Sequence, residues 1–361
     1  MTVFGVNYGN RFIPEEWMCC GSLFDGVQSR GKEPHKTQTR LCLADLEGAF
    51  EERYLAWLDA TIRQDDFRDM TDHGINVVRV PCGYWNWVTF SGEQTPNGRE
   101  QERMRVLQSV VPERYIAFFD RVFENAAKYG LKVLLDLHAL PGSQNGEMHS
   151  GISKSCPEFD TDWNLEKAVE AVSAMARYCA RQGSLYGIQV INEPNNYPRD
   201  VHSFLDKYYD RAILAAREYL PPHVPIVVFE WVSNFGKWPS GRFAAVKYGT
   251  VVWDTHIYSF MQHASVEKAQ AAYWPELEAL DAFHKRQLPG GCIVGEWSLA
   301  GPSLGESNRE LASWLVWCFM ERSRGCVFWN WDGSGIAEWN FKLAATQFGV
   351  DWKAIPKPSK T

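Results

Sequence analysis

The regular alternation of short apolar runs with longer amphipathic segments constrains this chain more than any other feature. Eight runs have the β-branched or apolar pattern of strands. They are Val3–Asn7, Asn76–Val80, Lys132–Leu137, Ile188–Asn192, Ile226–Phe229, Val251–Thr255, Cys292–Gly295 and Val327–Trp331. The segments with helical periodicity are Glu51–Asp72, Glu113–Tyr129, Leu165–Arg181, Val201–Tyr219, Val266–Arg286 and Arg309–Arg322. Eight strands that alternate with helices predict an α/β fold, a (β/α)8 TIM barrel, as a single domain over residues 1–361.

An open, doubly wound parallel sheet is the alternative fold for this pattern. It would be expected to carry a glycine-rich phosphate-binding turn, G-x-G-x-x-G, after its first strand. The corresponding stretch here, "GVNYGNRF", lacks that spacing. We therefore expect the closed barrel.

Composition narrows the classes of partner. The 361 residues are 45% hydrophobic and carry a formal net charge of −7. No nucleic-acid partner is expected, because phosphate binding requires a basic face. No run of about 18 apolar residues is present, so no membrane span is expected. The 16 tryptophans mostly indicate core packing, but indole faces also stack on sugar rings, which slightly favours a carbohydrate partner.

The cysteine spacing bears on metal binding, and the absence of sequons bears on the cellular location of the protein. None of the nine cysteines shows metal-ligand spacing, since Cys19 and Cys20 are adjacent, and no H-E-x-x-H motif occurs. The prediction is therefore no metal and no cofactor. No signal-peptide pattern opens the chain and no N-x-[ST] sequon occurs, which favours a cytoplasmic location. Secretion with the signal already removed is the alternative, and a monomer is expected.

Polar and aromatic residues gather where the predicted strands end. These residues are Arg79, His138, Asn192, Glu193, His256, Tyr258, Glu296 and Trp329. In a (β/α)8 barrel the carboxyl ends of the strands form the face that carries the active site. Each residue alone has an ordinary explanation, such as a solvated glutamate, a structural ion pair, a core histidine or a packed tryptophan. Their joint occurrence at one rim predicts a catalytic site.

The two glutamates, Glu193 and Glu296, belong to strands that are three apart around the barrel. Two carboxyl groups facing each other across a sugar-sized pocket are what glycoside cleavage requires. In retaining enzymes they lie about 5–5.5 Å apart, and one protonates the leaving oxygen while the other attacks the anomeric carbon. We expect Arg79 to keep Glu296 ionised, and a drier, less compensated Glu193 to keep its proton.

Several segments of the chain carry a more specific resemblance. "INEPN" and "VGEWS" contain the two glutamates, and "GVNYGNRFIPEEWM", "VVRVPCGYW", "YGLKVLLDLHALPGSQNG" and "GCVFWNWDGSGIAEWNF" extend the match to about Phe341. Together they resemble glycoside hydrolase family 5, a family of retaining (β/α)8 enzymes. Within that family they are most similar to the fungal-type exo-β-1,3-glucanase branch.

Carried over residue by residue, the resemblance implies Glu193 as the acid/base and Glu296 as the nucleophile. It implies a supporting shell made of Arg79, His138, Asn192, His256 and Tyr258, with Asn192 holding the sugar 2-hydroxyl. It also implies three substrate contacts. These are Glu15 on the glucose hydroxyls farthest from the scissile bond, Trp329 as the platform under that glucose, and Asn145 in closing the pocket. For Glu15, a surface charge shared with the adjacent Glu16 is the alternative.

The chain departs from that branch in two places, both on the leaving-group side. Glu147 and Met148 follow "GSQNG" where the branch has an aromatic and an acidic residue, and a cysteine-bearing insert after Glu296 is absent. The predicted activity is removal of terminal glucose, of the exo-β-1,3-glucanase or β-glucosidase type. The alternatives are the same chemistry on a β-1,6-glucan, a disaccharide-bearing glycoside or a glycolipid headgroup, and a barrel that binds carbohydrate without cleaving it.

Overall fold

The computed structural model describes residues 1–15, 17–18, 23, 49–89, 113–150, 157–194, 201–239, 241–285, 290–301 and 304–356. Its strands are β1 (Val3–Asn7), β2 (Val77–Gly83), β3 (Lys132–Ala139), β4 (Leu185–Gln189), β5 (Ile226–Phe229), β6 (Val251–His256), β7 (Cys292–Trp297) and β8 (Gly325–Phe328). Its α-helices are α1 (Ala49–Thr61), α2 (Gln64–Asp72), α3 (Glu113–Lys128), α4 (Asp162–Cys179), α5 (Val201–Arg217), α6 (Ala245–Tyr248), α7 (Val266–Lys285), α8 (Asn308–Arg322) and α9 (Phe341–Gln347). Short 3₁₀ helices cover Tyr84–Asn86, Met148–Ser150, Val232–Lys237, Gly305–Ser307 and Ala337–Trp339.

The strands pair in parallel in chain order, and β8 pairs with β1 to close a barrel. At this closing seam Val3 lies opposite Gly325, and Val6 lies opposite Phe328. Helices follow the strands around the outside, as a parallel sheet requires for its crossovers. The predicted (β/α)8 TIM barrel is therefore confirmed.

Apolar side chains fill the barrel at the end from which the strands start. One residue from each strand contributes to this basal layer: Val3, Val77, Leu134, Tyr186, Val227, Val252, Ile293 and Val327. A second, larger cluster packs the strands against the helices. Because the basal layer occupies one end of the interior, the polar side chains of later strand positions gather at the carboxyl end.

The helices bury one face against the strands. In α3, Tyr115, Phe119, Val122 and Ala126 are buried at spacings of three or four residues, which places them on one side of the helix.

Among the helices of the described ranges, none is long and apolar enough to cross a membrane.

The predicted helix Glu51–Asp72 is two helices. Between them Arg63 has an extended backbone, with φ −109° and ψ 139°. The buried Tyr8 hydroxyl lies at this break, where it accepts from Arg63 N at 3.2 Å and donates to the Asp66 carboxylate at 2.8 Å. The helix is interrupted here because this tertiary contact satisfies backbone groups that a continuous helix would otherwise pair.

Three strand boundaries near the cavity differ from the prediction. The strand β4 ends at Gln189 and β8 at Phe328, so Glu193 and Trp329 follow their strands instead of ending them. Glu193 has a φ of 44°, a left-handed conformation that is uncommon for a residue other than glycine. By contrast, β2 continues to Gly83, so Arg79 lies within the strand and not at its end.

Candidate active site

A cavity of about 530 Å³ lies at the carboxyl ends of the strands, within the ~300–1,000 Å³ range of small-molecule sites. The predicted site residues that line it are Glu15, His138, Asn192, Glu193, His256, Tyr258, Glu296 and Trp329. Its other lining residues are Trp17, His149, Trp231, Val232, Ser233, Phe260, Glu276 and Trp339. The remaining two predicted residues, Arg79 and Asn145, contact this set from behind. Folding thus brings all ten predicted residues to one site.

The two glutamates face each other in this cavity. One carboxylate oxygen of Glu193, one of Glu296 and a ring nitrogen of His256 all lie within 4.8 Å of one another. This short spacing matches retaining glycosidases, whereas inverting enzymes keep their carboxyl groups about 6.5–9.5 Å apart to admit a water. The geometry therefore supports direct attack by one carboxylate.

Arg79 and Tyr258 hold the Glu296 carboxylate. Arg79 Nη1 donates to Oε1 at 2.8 Å, and the Tyr258 hydroxyl donates to Oε2 at 2.8 Å. Burial opposes the charge of Arg79, but Asp136, at 3.0 Å, and Glu296 stabilise it, so the pKa of Arg79 is raised. Glu296 thus lies beside a permanent cation with both oxygens bonded, which fixes the position of its carboxyl group.

Asn192 is oriented by Arg79 and His138. Its Oδ1 accepts from Arg79 Nη2 at 2.7 Å, and its Nδ2 lies 3.3 Å from His138 Nε2. Burial lowers the pKa of His138 well below its ordinary value, so the ring is neutral. Its Nδ1–H then donates to Asp136 Oδ2 at 2.6 Å, which leaves Nε2 to accept from Asn192. This chain of contacts fixes the direction in which the Asn192 amide faces.

Two histidines bind the Glu193 carboxylate. His256 Nδ1 hydrogen-bonds to Oε1, and His149 Nε2 lies 3.2 Å from Oε2. Burial acts to raise the pKa of Glu193, but the charge of His256 and the hydrogen bond from His149 outweigh it. The pKa of Glu193 is therefore held well below its ordinary value.

The same contacts act on the histidines in the opposite direction. Burial lowers the pKa of each ring, but the carboxylates prevail and raise the pKa of His256 to about 10 and that of His149 to about 9. The prediction that a less compensated Glu193 keeps its own proton is therefore wrong. Its compensation comes from His149 and His256, and protons belong to this three-residue group as a whole. We call Glu193, His149 and His256 the acid cluster.

Glu15 is buried in the cavity wall. Its Oε2 accepts from Trp17 Nε1 at 2.7 Å, and its backbone N–H donates to Asn10 Oδ1 at 3.0 Å. Burial raises the pKa of Glu15 to about 7, because a carboxyl group removed from water loses the solvation of its charged form. Such a group is suited to accept hydroxyl hydrogen bonds from a sugar. Glu16, the alternative, lies outside the described residues.

Trp329 and Asn145 occupy different positions in the site. The Trp329 ring lines the cavity and stacks on His138, with centroids 5.7 Å apart and planes 14° apart. Asn145 Nδ2 lies 3.0 Å from the Glu193 carbonyl oxygen and 2.9 Å from His149 Nε2. Asn145 therefore supports the backbone of Glu193, and its predicted part in closing the pocket stays a prediction.

Among the described residues, Glu193, His256 and Glu296 bring ligand atoms close enough together to hold a metal ion. Their donor atoms are already engaged, since His256 Nδ1 bonds to Glu193 and Glu296 Oε1 accepts from Arg79 at 2.8 Å. A guanidinium at this distance repels a second cation. The arrangement fits proton transfer and nucleophilic attack better than metal binding, and we assign no metal to it.

Several charged residues of the site were missed in the sequence, and three of them contact the predicted histidines or glutamates. Asp136 and Asp254 each precede a predicted histidine by two positions, in "DLH" and "DTH". Alternate residues of a strand point to one face, so this spacing could have identified them as interior carboxylates beside His138 and His256. His149 belongs to a 3₁₀ helix after β3, where no periodicity indicates the direction of its side chain.

Two solved structures illustrate the similarity of the fold to known proteins. A rutinosidase from Aspergillus niger superposes with a TM-score of 0.70 at 19% identity and covers 96% of this chain and 96% of its own. An endoglucanase from Thermotoga maritima superposes with a TM-score of 0.61 at 14% identity and covers 98% and 96%. At these identities the similarity shows the fold alone.

Relatives with known names share more of the sequence. Glucan 1,3-beta-glucosidase from Blumeria graminis is 27% identical over 315 residues, which is 87% of this chain but only 66% of the relative. Glucan endo-1,6-beta-glucosidase B from Emericella nidulans is 25% identical over 401 residues, 98% of this chain and 85% of the relative. The cellulase family, glycosyl hydrolase family 5, matches residues 33–335. Since this match covers most of the chain and includes both glutamates, the chain belongs to glycosyl hydrolase family 5.

Proposed function

We propose that this protein is a retaining hydrolase of β-glucosidic bonds that releases terminal glucose from a β-glucan or a β-glucoside. The observation that carries the proposal is the facing pair Glu193 and Glu296, with oxygens within 4.8 Å of a shared His256 nitrogen. Membership of glycosyl hydrolase family 5 and the names of the relatives from Blumeria and Emericella support the substrate class.

The contacts assign a part to each residue in a double displacement. Glu296, held by Arg79 and Tyr258, attacks the anomeric carbon while the bond to the leaving oxygen breaks. The leaving oxygen takes its proton through Glu193, which is resupplied across the hydrogen bond from His256. In the second step Glu193 accepts a proton from water, and this water attacks the glucosyl ester and frees Glu296.

The test of the proposal is the turnover of Glu296→Gln on an aryl β-glucoside. The amide keeps the shape of the side chain but cannot form the ester, so kcat should fall by about a thousandfold or more. Glu306→Gln provides the matched control, because Glu306 is exposed in the loop after β7. Wild-type turnover by Glu296→Gln would refute the assignment. Product analysis by NMR should show the β-anomer first.

A second candidate is the same chemistry on β-1,6-linked glucan. It is favoured by the Emericella relative, whose alignment covers 98% of this chain and 85% of that protein. A panel of laminari- and gentio-oligosaccharides distinguishes the linkages by their kcat/KM. Activity on an aryl glucoside with equal inactivity on both series would instead favour a glycoconjugate. Calorimetric binding of these sugars without any turnover would indicate a carbohydrate-binding barrel.

A further inference from the structure

The cavity has two walls beside the facing glutamates, and the residues of the second wall have no part in the reaction proposed for Glu193 and Glu296. Glu15 and Trp329, which follow β1 and β8, belong to the first wall. The second wall consists of Trp231 and Ser233 after β5, Phe260 after β6, and Glu276 from α7. In a ring of eight strands, β5 lies directly across from β1, and β6 is separated from β8 by β7. Glu193 and Glu296 follow or end β4 and β7, which lie between the two walls.

The proton donor faces the second wall. The Glu193 carboxylate bonds to His256, the last residue of β6. In a retaining glycosidase the leaving group departs on the side of the acid/base residue. The space between Glu193 and the second wall is therefore where the leaving group lies, provided that the proposed function holds.

The backbone of the second wall is held in place by a buried carboxylate. Glu230 accepts from Trp231 N at 2.8 Å and from Trp238 Nε1 at 2.7 Å. His202 Nε2 lies 2.9 Å from its second oxygen. Asn234 Nδ2 also donates to Glu230, at 3.3 Å. Four groups from this loop and the neighbouring helix α5 thus contact the Glu230 side chain. These contacts fix the conformation of the loop after β5, which carries Trp231 and Ser233.

Glu276 is the one acidic side chain that α7 contributes to the cavity lining. It is partly buried, and among the described residues no hydrogen bond or ion pair joins it to another side chain. Burial alone raises the pKa of Glu276 to about 7. Removing a carboxyl group from water without a partner is unfavourable, and a ligand that supplies hydroxyl donors would restore the missing hydrogen bonds.

We propose that Glu276 and Trp231 form a subsite for a sugar leaving group. The Glu276 carboxyl accepts hydrogen bonds from the hydroxyls of the departing sugar, and the Trp231 indole packs against the apolar face of its ring. The preferred substrate is therefore one in which glucose is linked to a second hexose. An aryl or alkyl leaving group offers no hydroxyls to Glu276 and does not use this contact.

The experiment compares Glu276→Ala and Glu276→Gln with wild type on gentiobiose, laminaribiose and a 4-nitrophenyl β-glucoside. Loss of a charged acceptor costs about tenfold or more in kcat/KM. We expect that loss in Glu276→Ala on the disaccharide that wild type prefers, with a much smaller change on the aryl glucoside. The amide of Glu276→Gln keeps an acceptor oxygen, so its effect should be intermediate.

Glu278→Gln is the matched control, because Glu278 lies two residues further along α7, is exposed and bonds to Trp274 at 2.9 Å. It should leave all three substrates unaffected. Equal losses on the disaccharide and the aryl glucoside, or no loss in Glu276→Ala, would overturn the subsite. Wild type that is inactive on all three substrates would overturn the proposed function itself. The conservative Glu276→Gln decides the outcome if Glu276→Ala does not fold.

Discussion

The proposed nucleophile, Glu296, is held by Arg79, which lysine cannot replace. Arg79 reaches Glu296 with one terminal nitrogen and Asn192 with the other, at 2.8 and 2.7 Å. A lysine ammonium is a point charge on a flexible stem and cannot occupy both positions. We expect Arg79→Lys to lower kcat/KM on an aryl β-glucoside by about a hundredfold. Arg68→Lys, at an exposed ion pair, should have no effect; comparable losses in both variants would contradict this prediction.

The acid cluster makes the stability of the protein depend on pH. The Glu193 carboxylate raises the pKa of His149 from its ordinary value of 6.5 to about 9, so the stabilisation is complete below about pH 6.5 and is lost as the pH rises through 9. We expect the urea midpoint of wild type to fall over this window relative to His149→Gln. The corresponding difference in the free energy of unfolding is at most about 3 kcal/mol. Parallel pH profiles for the two proteins would show that His149 is not charged in the fold.

The loss of activity in Glu193→Gln should depend on whether the leaving group needs a proton to depart. A dinitrophenolate departs without protonation, whereas a sugar alkoxide requires it. Glu193→Gln should therefore lose about 10²–10⁴-fold in kcat/KM on a disaccharide and much less on a dinitrophenyl glucoside. Equal losses on the two substrates, compared with wild type in the same buffer, would remove Glu193 from the acid role.

The sequence predicted that Glu193 and Glu296 lie in one site, which the structure confirms, but not the protonation of Glu193. Glu193 and Glu296 follow strand-like runs, and the topology of a closed barrel brings such positions together. The protonation of Glu193 depends on His149, which contacts it from a 3₁₀ helix. No sequence pattern predicts this helix. Glu276 was missed for a similar reason, since it reaches the cavity from the helix α7 and not from a strand end.

At the level of elements, a single tyrosine hydroxyl separates α1 from α2. Tyr8 bonds to the buried Asp66 and to the backbone of Arg63. Tyr8→Phe removes the acceptor of the Arg63 N–H and one of the donors to Asp66, which keeps its ion pair with Arg63 at 3.0 Å. We expect a loss of about 1–3 kcal/mol in the free energy of unfolding, measured by urea denaturation. Tyr129→Phe is the control, because the Tyr129 hydroxyl accepts an exposed hydrogen bond from Gln64. Its loss in the free energy of unfolding should be less than about 0.5 kcal/mol. Equal midpoints for the two variants would refute the role of Tyr8.

The positions of the strands could be predicted better than their ends. Hydrophobicity continues past the last paired residue of β4, because Val190 and Ile191 are buried although they follow the ladder. The Val190 N–H still donates to the Val227 carbonyl of β5 at 3.0 Å, but the Val190 carbonyl accepts from the Tyr208 hydroxyl of α5 at 2.6 Å, and the ladder ends there. A pattern of apolar residues records burial and not hydrogen bonding, so it cannot distinguish a strand from a buried extension of one.

For the whole molecule, barrel closure depends on a position that admits only glycine. Gly325 begins β8 with a φ of 135°, and a Cβ there would lie 1.8 Å from the Val3 carbonyl oxygen across the closing seam. Gly325→Ala should cost on the order of 3 kcal/mol or more, or prevent folding. Gly183→Ala is the control, because a Cβ at that position meets no described atom within 4 Å. Soluble Gly325→Ala with the wild-type melting temperature would contradict this account of the seam.

The basal layer also determines how substrate and product enter and leave the cavity. Eight packed side chains, one per strand, seal the floor of the barrel, so a polysaccharide cannot be threaded through the molecule. In the proposed reaction, glucose leaves through the opening by which the chain end entered, after the shortened polymer has left the cavity. We therefore expect the proposed hydrolase to release its substrate after each cleavage and to shorten many chains by one unit each.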